Sequence, residues 1–413
     1  MKQFLSDMNP WRGLKATPKE IWVIAIATFI NRSGTVVVFF LTYYLRQAQF
    51  GFSLAKVGFI LGLVGIGSLG TAYWSGWLSD RVGALQVMKL SLVLSGAVLL
   101  IYPLASRFEI IALLTIAWAI TADAFRPASN AILTSFAEDI DETQSQIRAR
   151  SAQSLNRLAI NLGFAVGPLL AGFLATKGYW KALFIIDGAT SILAFVYLSV
   201  TLRPAKFQSS DTDIHTTESI TITGPSPRAI RDRRLLFFLF AIAPTLVVLF
   251  MELGPLPQFM KIELGIGEKV FGYLIAFNAL LVILFEFPLS WMTRVWSYRR
   301  SLSWSALLIG VGFGALAFAH QLPLIVITVA IWTLGEMFLL PNTIAYVSSI
   351  APKPRRGEYI GVYSMVFSVC MSVGPALGVL TLARFGGKIL WSMAFMLGVA
   401  SALMITQLDK RSA

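Results

Sequence analysis

The chain has one cysteine, Cys370, and two histidines, His215 and His320. A single thiol rules out an intrachain disulfide and a multi-cysteine metal site. Neither histidine lies centrally in an apolar stretch, so a histidine proton relay is not expected. No nucleophile–base pair, metal-ligand cluster or phosphate loop stands out, so neither an enzyme nor a cofactor is expected. Charge is scarce too, at 13% of residues. A soluble domain carries about twice that share, which excludes the ordinary globular class. Alternating segments of about ten residues are missing, which argues against a membrane barrel.

What the chain has is apolar length. Hydrophobic residues make up 56% of it. Twelve apolar stretches can be marked, from 21–45 through 302–319 and 359–382 to 389–405. Most can cross a hydrocarbon core of about 30 Å at about 1.5 Å per residue. The first twenty residues are polar and the first apolar stretch is too long for a secretory core, so no cleavable signal is expected. Segments on the side of the N-terminus hold 22 Lys and Arg, and the opposite loops hold 9. The positive-inside rule therefore puts both termini in the cytoplasm. The net charge of +13 reads as topology and contact with membrane lipids. Nucleic-acid binding is not expected, because the basic residues are scattered over loops.

The sequence repeats at half its length. Val166-Gly167-Pro168 recurs as Val373-Gly374-Pro375, 207 residues on. Each copy follows a short arginine-bearing segment, at Arg148 and Arg150 and at Arg355 and Arg356. Pro127 is followed by Asn130, and Pro341 by Asn342. Such an offset in membrane-type sequence predicts a duplicated bundle with a pathway between its halves. The polar segment 203–234 reads as a linker. The expected fold is an all-α membrane protein of twelve transmembrane helices in two pseudo-symmetric six-helix bundles. Residues 1–202 form one bundle, 203–234 the cytoplasmic linker and 235–413 the other.

Two passages carry a family resemblance. Gly76-Trp77-Leu78-Ser79-Asp80-Arg81-Val82-Gly83 joins stretches two and three. Its glycines allow a tight turn, and Asp80 puts a carboxylate where it can face a helix N-terminus. Gly163 to Gly172 holds Gly163, Gly167-Pro168 and Gly172, small residues spaced to form a groove, with a proline that bends the helix. With these, the chain resembles the major facilitator superfamily, and within it the twelve-span drug:proton antiporters. The resemblance implies that Gly76, Asp80, Arg81 and Gly83 form a conformational latch against the start of stretch eleven, near Glu358. It implies that Gly163, Gly167, Pro168 and Gly172, with Gly374 and Pro375, form helix-bend motifs. Ala84, Leu85 and Gln86 depart from the basic residues usual in the loop.

The resemblance also implies that stretches one, four, seven and ten line a substrate cavity. Five ionisable residues fall on those four: Arg32, Asp123, Arg126, Glu252 and Glu336. A charge at mid-membrane costs about 2.5–3.5 kcal/mol even on the low scale, so such residues face a partner or a wet cavity. Glu336, Glu252 and Asp123 are the proton-coupling candidates. Arg32 and Arg126, with Asn31 and Asn130, are the substrate-binding candidates, since arginine holds its charge. Asp123 and Arg126 are three residues apart and are expected to share a face. Asp187 reads as structural, capped by Ser191 or a neighbour, Glu286 as snorkelling or paired with Arg294, and Arg157 as a structural bond to stretch four. The expected function is alternating-access transport, with proton-coupled efflux of a small amphipathic compound by a monomer in a bacterial inner membrane. The alternative is transport of an anionic metabolite or metal chelator.

Overall fold

The computed structural model describes residues 18–135, 142–202, 228–293, 295–352 and 355–408. Every regular element among them is helical. In chain order these are α1 (Lys19–Gly34), α2 (Val37–Leu45), α3 (Leu54–Val82), α4 (Ala84–Ile101), α5 (Phe108–Asp123), α6 (Phe125–Ser135), α7 (Glu142–Thr176) and α8 (Trp180–Thr201). There follow α9 (Arg233–Leu249), α10 (Pro255–Ile262), α11 (Glu268–Met292), α12 (Tyr298–Ala315), α13 (Leu322–Ile350) and α14 (Arg356–Ile405).

Ten segments among the described residues are long and apolar enough to cross a membrane, against twelve stretches marked in the sequence. Two features account for the difference. The helix α12 opens with Tyr298-Arg299-Arg300 and carries three serines, which lowers its apolarity over only 18 residues. The 50-residue α14 is one segment by extent, but Gly386 inside it has φ 77° and ψ 172°. That left-handed residue turns the chain without a loop, as glycine does at no steric cost.

Three apolar stretches are broken rather than continuous. Stretch one stops at Gly34 and resumes at Val37, stretch four breaks at Ala124, and stretch seven passes through a 3-10 turn, Phe250–Leu253, into α10. Discontinuous helices at mid-depth free backbone groups, which a membrane tolerates only in a protein interior or a wet cavity. The joint between stretches two and three is shorter than the sequence motif implied. The helix α3 runs on to Val82, and Gly83 alone, with φ 87°, makes the turn.

Packing sorts the helices into two groups. In the first, α1 lies against α7 and α8, and α4 against α5, α6 and α8. In the second, α12 lies against α13 and α14, and α9 against α14. The groups meet along two long seams, α7 with α11 and α3 with α14. We call the end at which α1 starts the near end, and the other the far end. At the far end the seams are tight. Ser372 of α14 donates to the Gly62 carbonyl of α3, and a Cβ on Gly62 would touch Ala376 at 3.6 Å. There α2 also closes over the second group: Phe40 and Tyr43 meet the Phe271 ring at 5.5 and 5.8 Å, and the Lys261 ammonium lies 5.4 Å from the Tyr43 ring centre. Toward the near end, glycines of α3 and α14 face open space, while α7 and α11 stay in contact through Arg157 and Glu286. A Cβ on Gly70 of α3, or on Gly357 or Gly361 of α14, would meet nothing within 4 Å.

Candidate functional site

The first group supplies cations. Arg32 sits near the end of α1, two residues before the break. Its position depends on Gly163 of α7, where a Cβ would come within 2.5 Å of the Arg32 Cβ. Gly167 lets the Ser33 carbonyl approach in the same way, at 2.9 Å. The guanidinium of Arg32 lies 5.9 Å from the ring centres of Phe125 and Phe164. Its Nε is buried and has no hydrogen-bond partner. Charges on Arg126, Asp123 and Asp187 all act on it. Arg126 opens α6 and lies 5.7 Å over Phe367 of α14, across the space between the groups. No ion pair joins Asp123 to Arg126 among the described residues. Ala124, between α5 and α6, keeps helical backbone angles of φ −65° and ψ −21°. Asn130 lies on an exposed face of α6.

Asp187 has a structural role at the break in stretch one. Its carboxylate accepts from the amides of Val36 and Val37 at 3.3 Å each. It therefore caps the start of α2, where freed N–H groups and the helix dipole favour a negative charge. Beside it Asn31 donates to Ser191, whose hydroxyl donates in turn to the Asp187 carbonyl. Asn31 thus ties α1 to α8 at the break.

The second group supplies carboxylates. Glu252 lies on the 3-10 turn that interrupts stretch seven. Glu336 lies midway along α13 and accepts a 3.0 Å hydrogen bond from Asn278 of α11. The same amide donates to Thr333, one turn earlier on α13. Glu252 and Glu336 are close enough for their charges to interact. Glu286, two turns past Asn278, forms an ion pair with Arg157 of α7. This corrects the sequence reading twice: Arg157 bonds to α11 instead of stretch four, and Glu286 pairs with Arg157. Arg294 lies outside the described residues.

The motif residues divide. Pro168 and Pro375 sit inside α7 and α14. Gly172 faces the Glu268 carbonyl of α11, which a Cβ added to Gly172 would approach to 3.0 Å. Gly374 faces the Val247 carbonyl of α9 in the same way, at 2.5 Å. Gly76 and Asp80 are helical in backbone, and their side chains lie outside the described residues. Arg81 is exposed at the end of α3. At the near end, Glu358 accepts from the Ala229 amide and Tyr359 donates to Asp232, so the start of α14 is fastened to the segment before α9. A separate recess of about 430 Å³ at the far end, lined in part by Gln47, Gln49, Tyr179 and Trp180, contains none of the charged site residues.

A family profile described as Major Facilitator Superfamily matches residues 21–256 and 250–408. The chain belongs to the major facilitator superfamily. It is a transporter of that superfamily and an integral membrane protein. Among its superfamily relatives, an uncharacterized transporter of Bacillus subtilis, YqjV, is 23% identical over 95% of this chain and 93% of its own length. A Na(+), Li(+), K(+)/H(+) antiporter of Planococcus maritimus is 24% identical over 93% of this chain and 95% of its own. The multidrug resistance protein MdtH of Proteus mirabilis is 23% identical over 79% and 78%. A peptide transporter POT mutant solved with sulfate superimposes with a TM-score of 0.78 at 15% identity, covering 100% of this chain and 98% of that one. It shares the major facilitator fold.

Asn278 escaped the sequence reading. Its signal was present: an amide inside an otherwise apolar α11, which needs a partner in a membrane.

Proposed function

We propose that this superfamily member is a proton-coupled efflux antiporter for a small amphipathic compound, working by alternating access. In this reading residues 1–202 and 235–413 are two six-helix bundles joined by the cytoplasmic segment 203–234. The twelve helices include α12 and count α14 as two. Both termini face the cytoplasm of a bacterial inner membrane, and the protein acts as a monomer. The near end is then cytoplasmic, and the arrangement described above is open inward.

One observation carries the reading: two carboxylates close enough for their charges to interact, Glu252 on the 3-10 turn of stretch seven and Glu336 midway along α13, lie in the second group, while Arg32 and Arg126 lie in the first. Like charges in a low-dielectric interior repel, and a bound proton relieves the repulsion. A carboxylate that alternates between two charge states, with substrate competing for the same space, is what exchange of proton for substrate requires. The names of the Planococcus antiporter and of MdtH agree with proton exchange and with drug efflux. The latch assigned to Gly76, Asp80, Arg81 and Gly83 closes the near end in the opposite state.

The test is transport of ethidium, as an amphipathic probe, driven by a pH gradient in proteoliposomes. Glu336→Gln and Glu252→Gln are compared with the parent. Loss of gradient-driven transport in either supports the reading, and unchanged transport in both overturns it.

A second reading, transport of an anionic metabolite or chelator, is favoured by Arg32. Its buried, unpartnered Nε beside Arg126 suits a carboxylate from a ligand. Protection from thermal unfolding by citrate, lost in Arg32→Ala and Arg126→Ala, would support it over the first.

A further inference from the structure

Arg157 is the cation of the first group that reaches the acids of the second. Its pair with Glu286 is the only ion pair between the two groups among the described residues. It lies on the α7–α11 seam, along which the groups must move if access alternates. Glu286 and Asn278 are eight residues apart on α11, about two turns, and so lie on nearly the same face. Asn278 holds Glu336, and the charge of Glu336 acts on both members of the pair. Charge interactions therefore link Glu252, at the break in stretch seven, with Glu336, and Glu336 with the pair on the seam, while the Asn278 amide ties Glu336 directly to α11. The pair is only partly shielded, with 40% of the Arg157 side chain and 17% of Glu286 exposed. Such a pair adds little to stability, so its location matters more than its strength.

We infer that Arg157 and Glu286 form a coupling pair that conveys the charge state of Glu336 to the seam between the two halves. Both are positioning residues. With Glu336 neutral, Glu286 is the acid that holds Arg157, as in this structure, with the near end open. With Glu336 ionised, Glu286 is repelled and Arg157 is attracted toward α13. The closed pair then loses its advantage, and α7 shifts on α11. The other charges on the middle parts of the surrounding elements are Glu252, Arg32 of α1, Asp123 of α5, Arg126 of α6 and Asp187 of α8. A proton on Glu336 thus favours the near-end-open state, which is the order an exporter needs. This inference rests on Glu336 as the proton carrier.

The test needs no substrate. Cys370→Ser removes the only thiol. Gly361→Cys then places a reporter on α14, where its Cβ meets open space in this state. Maleimide labelling of the purified protein, normalised to unfolded protein at each pH, is followed from mildly acid to mildly alkaline conditions. Labelling of the reporter protein should fall at least about fivefold as the pH rises. Glu336→Gln should hold it at the acid level. Arg157→Gln and Glu286→Gln should flatten the response with Glu336 intact, and Arg157→Lys should keep most of it. A full response in Arg157→Gln and Glu286→Gln, beside a flat Glu336→Gln, overturns the coupling pair alone. An unchanged response in Glu336→Gln, or none in the reporter protein, overturns the carrier reading and the pair with it.

Discussion

The two groups of helices use similar devices for opposite chemistry. Each has a Gly-Pro helix, α7 and α14, whose glycine lies against a broken stretch: Gly167 against the Ser33 carbonyl, Gly374 against that of Val247. Yet the first places Arg32 and Arg126 at its breaks, and the second places Glu252 and Glu336 there or nearby. The breaks are also finished differently. Asp187 caps α2, whereas α10 has no side-chain cap and opens on Pro255, which needs no partner for a missing N–H. The two groups thus share the bends and differ in their charges. With arginines on one wall and the Glu252–Glu336 pair on the other, the residues that hold a substrate differ from those that take the proton it competes with.

Removing the charge that distinguishes one wall should have the largest effect. Glu336→Gln is expected to lower gradient-driven transport by at least about a hundredfold, within the range a single proton-transfer group commands. Arg32→Ala should weaken substrate binding and leave the proton response standing, which a KM-against-kcat comparison would read. Equal loss of proton response in both variants would erase the division between the walls.

The shared bends give a matched pair of intermediate size. Gly163→Ala and Gly374→Ala each force a Cβ to within 2.5 Å of a neighbour, Arg32 Cβ in one case and the Val247 carbonyl in the other. Each should destabilise the protein by about 1–3 kcal/mol, measured by thermal unfolding in detergent. Gly163→Ala should also alter substrate affinity, because the displaced neighbour is Arg32, while Gly374→Ala should not.

The smallest effect is expected at the cap. Asp187→Asn keeps an acceptor for the α2 amides but removes the charge that favours the helix start. A loss of about 0.3–1 kcal/mol follows, rising to about 2 in a buried setting. The melting midpoint should fall by a few degrees at most. The second group has no such cap to lose, so no single polar substitution around Gly254 should match it.

The sequence was informative where the signal was local or periodic. Apolar length gave the helical membrane class, and the repeated Gly-Pro marked two helices that pack in comparable ways. The charges in stretches one, four, seven and ten do gather near helix breaks, except that Glu336 lies in the unbroken α13. What escaped was long-range or depended on a break. Arg157 and Glu286 are separated by more than a hundred positions and meet only because α7 lies along α11. Asp187 could be read as capped but not by what, because its partners are backbone amides freed by a break that no proline announces. Asp123 and Arg126 have the spacing of one helix face, yet no ion pair joins them among the described residues, and Arg126 lies over Phe367 of α14.

The joint at Gly386 bears on how the second half can move. Its left-handed backbone joins the two arms of α14 with no spare residues, and the next amide, Gly387, is held by the Glu263 carboxylate. The arm before the joint bears on α3, while Trp391 in the arm after it stacks near Phe313 of α12. The joint therefore behaves as a bracket, fixing the angle between seam and outer wall. In the alternating access proposed above, a push delivered at the seam would then reach the outer wall as rotation of the whole second half.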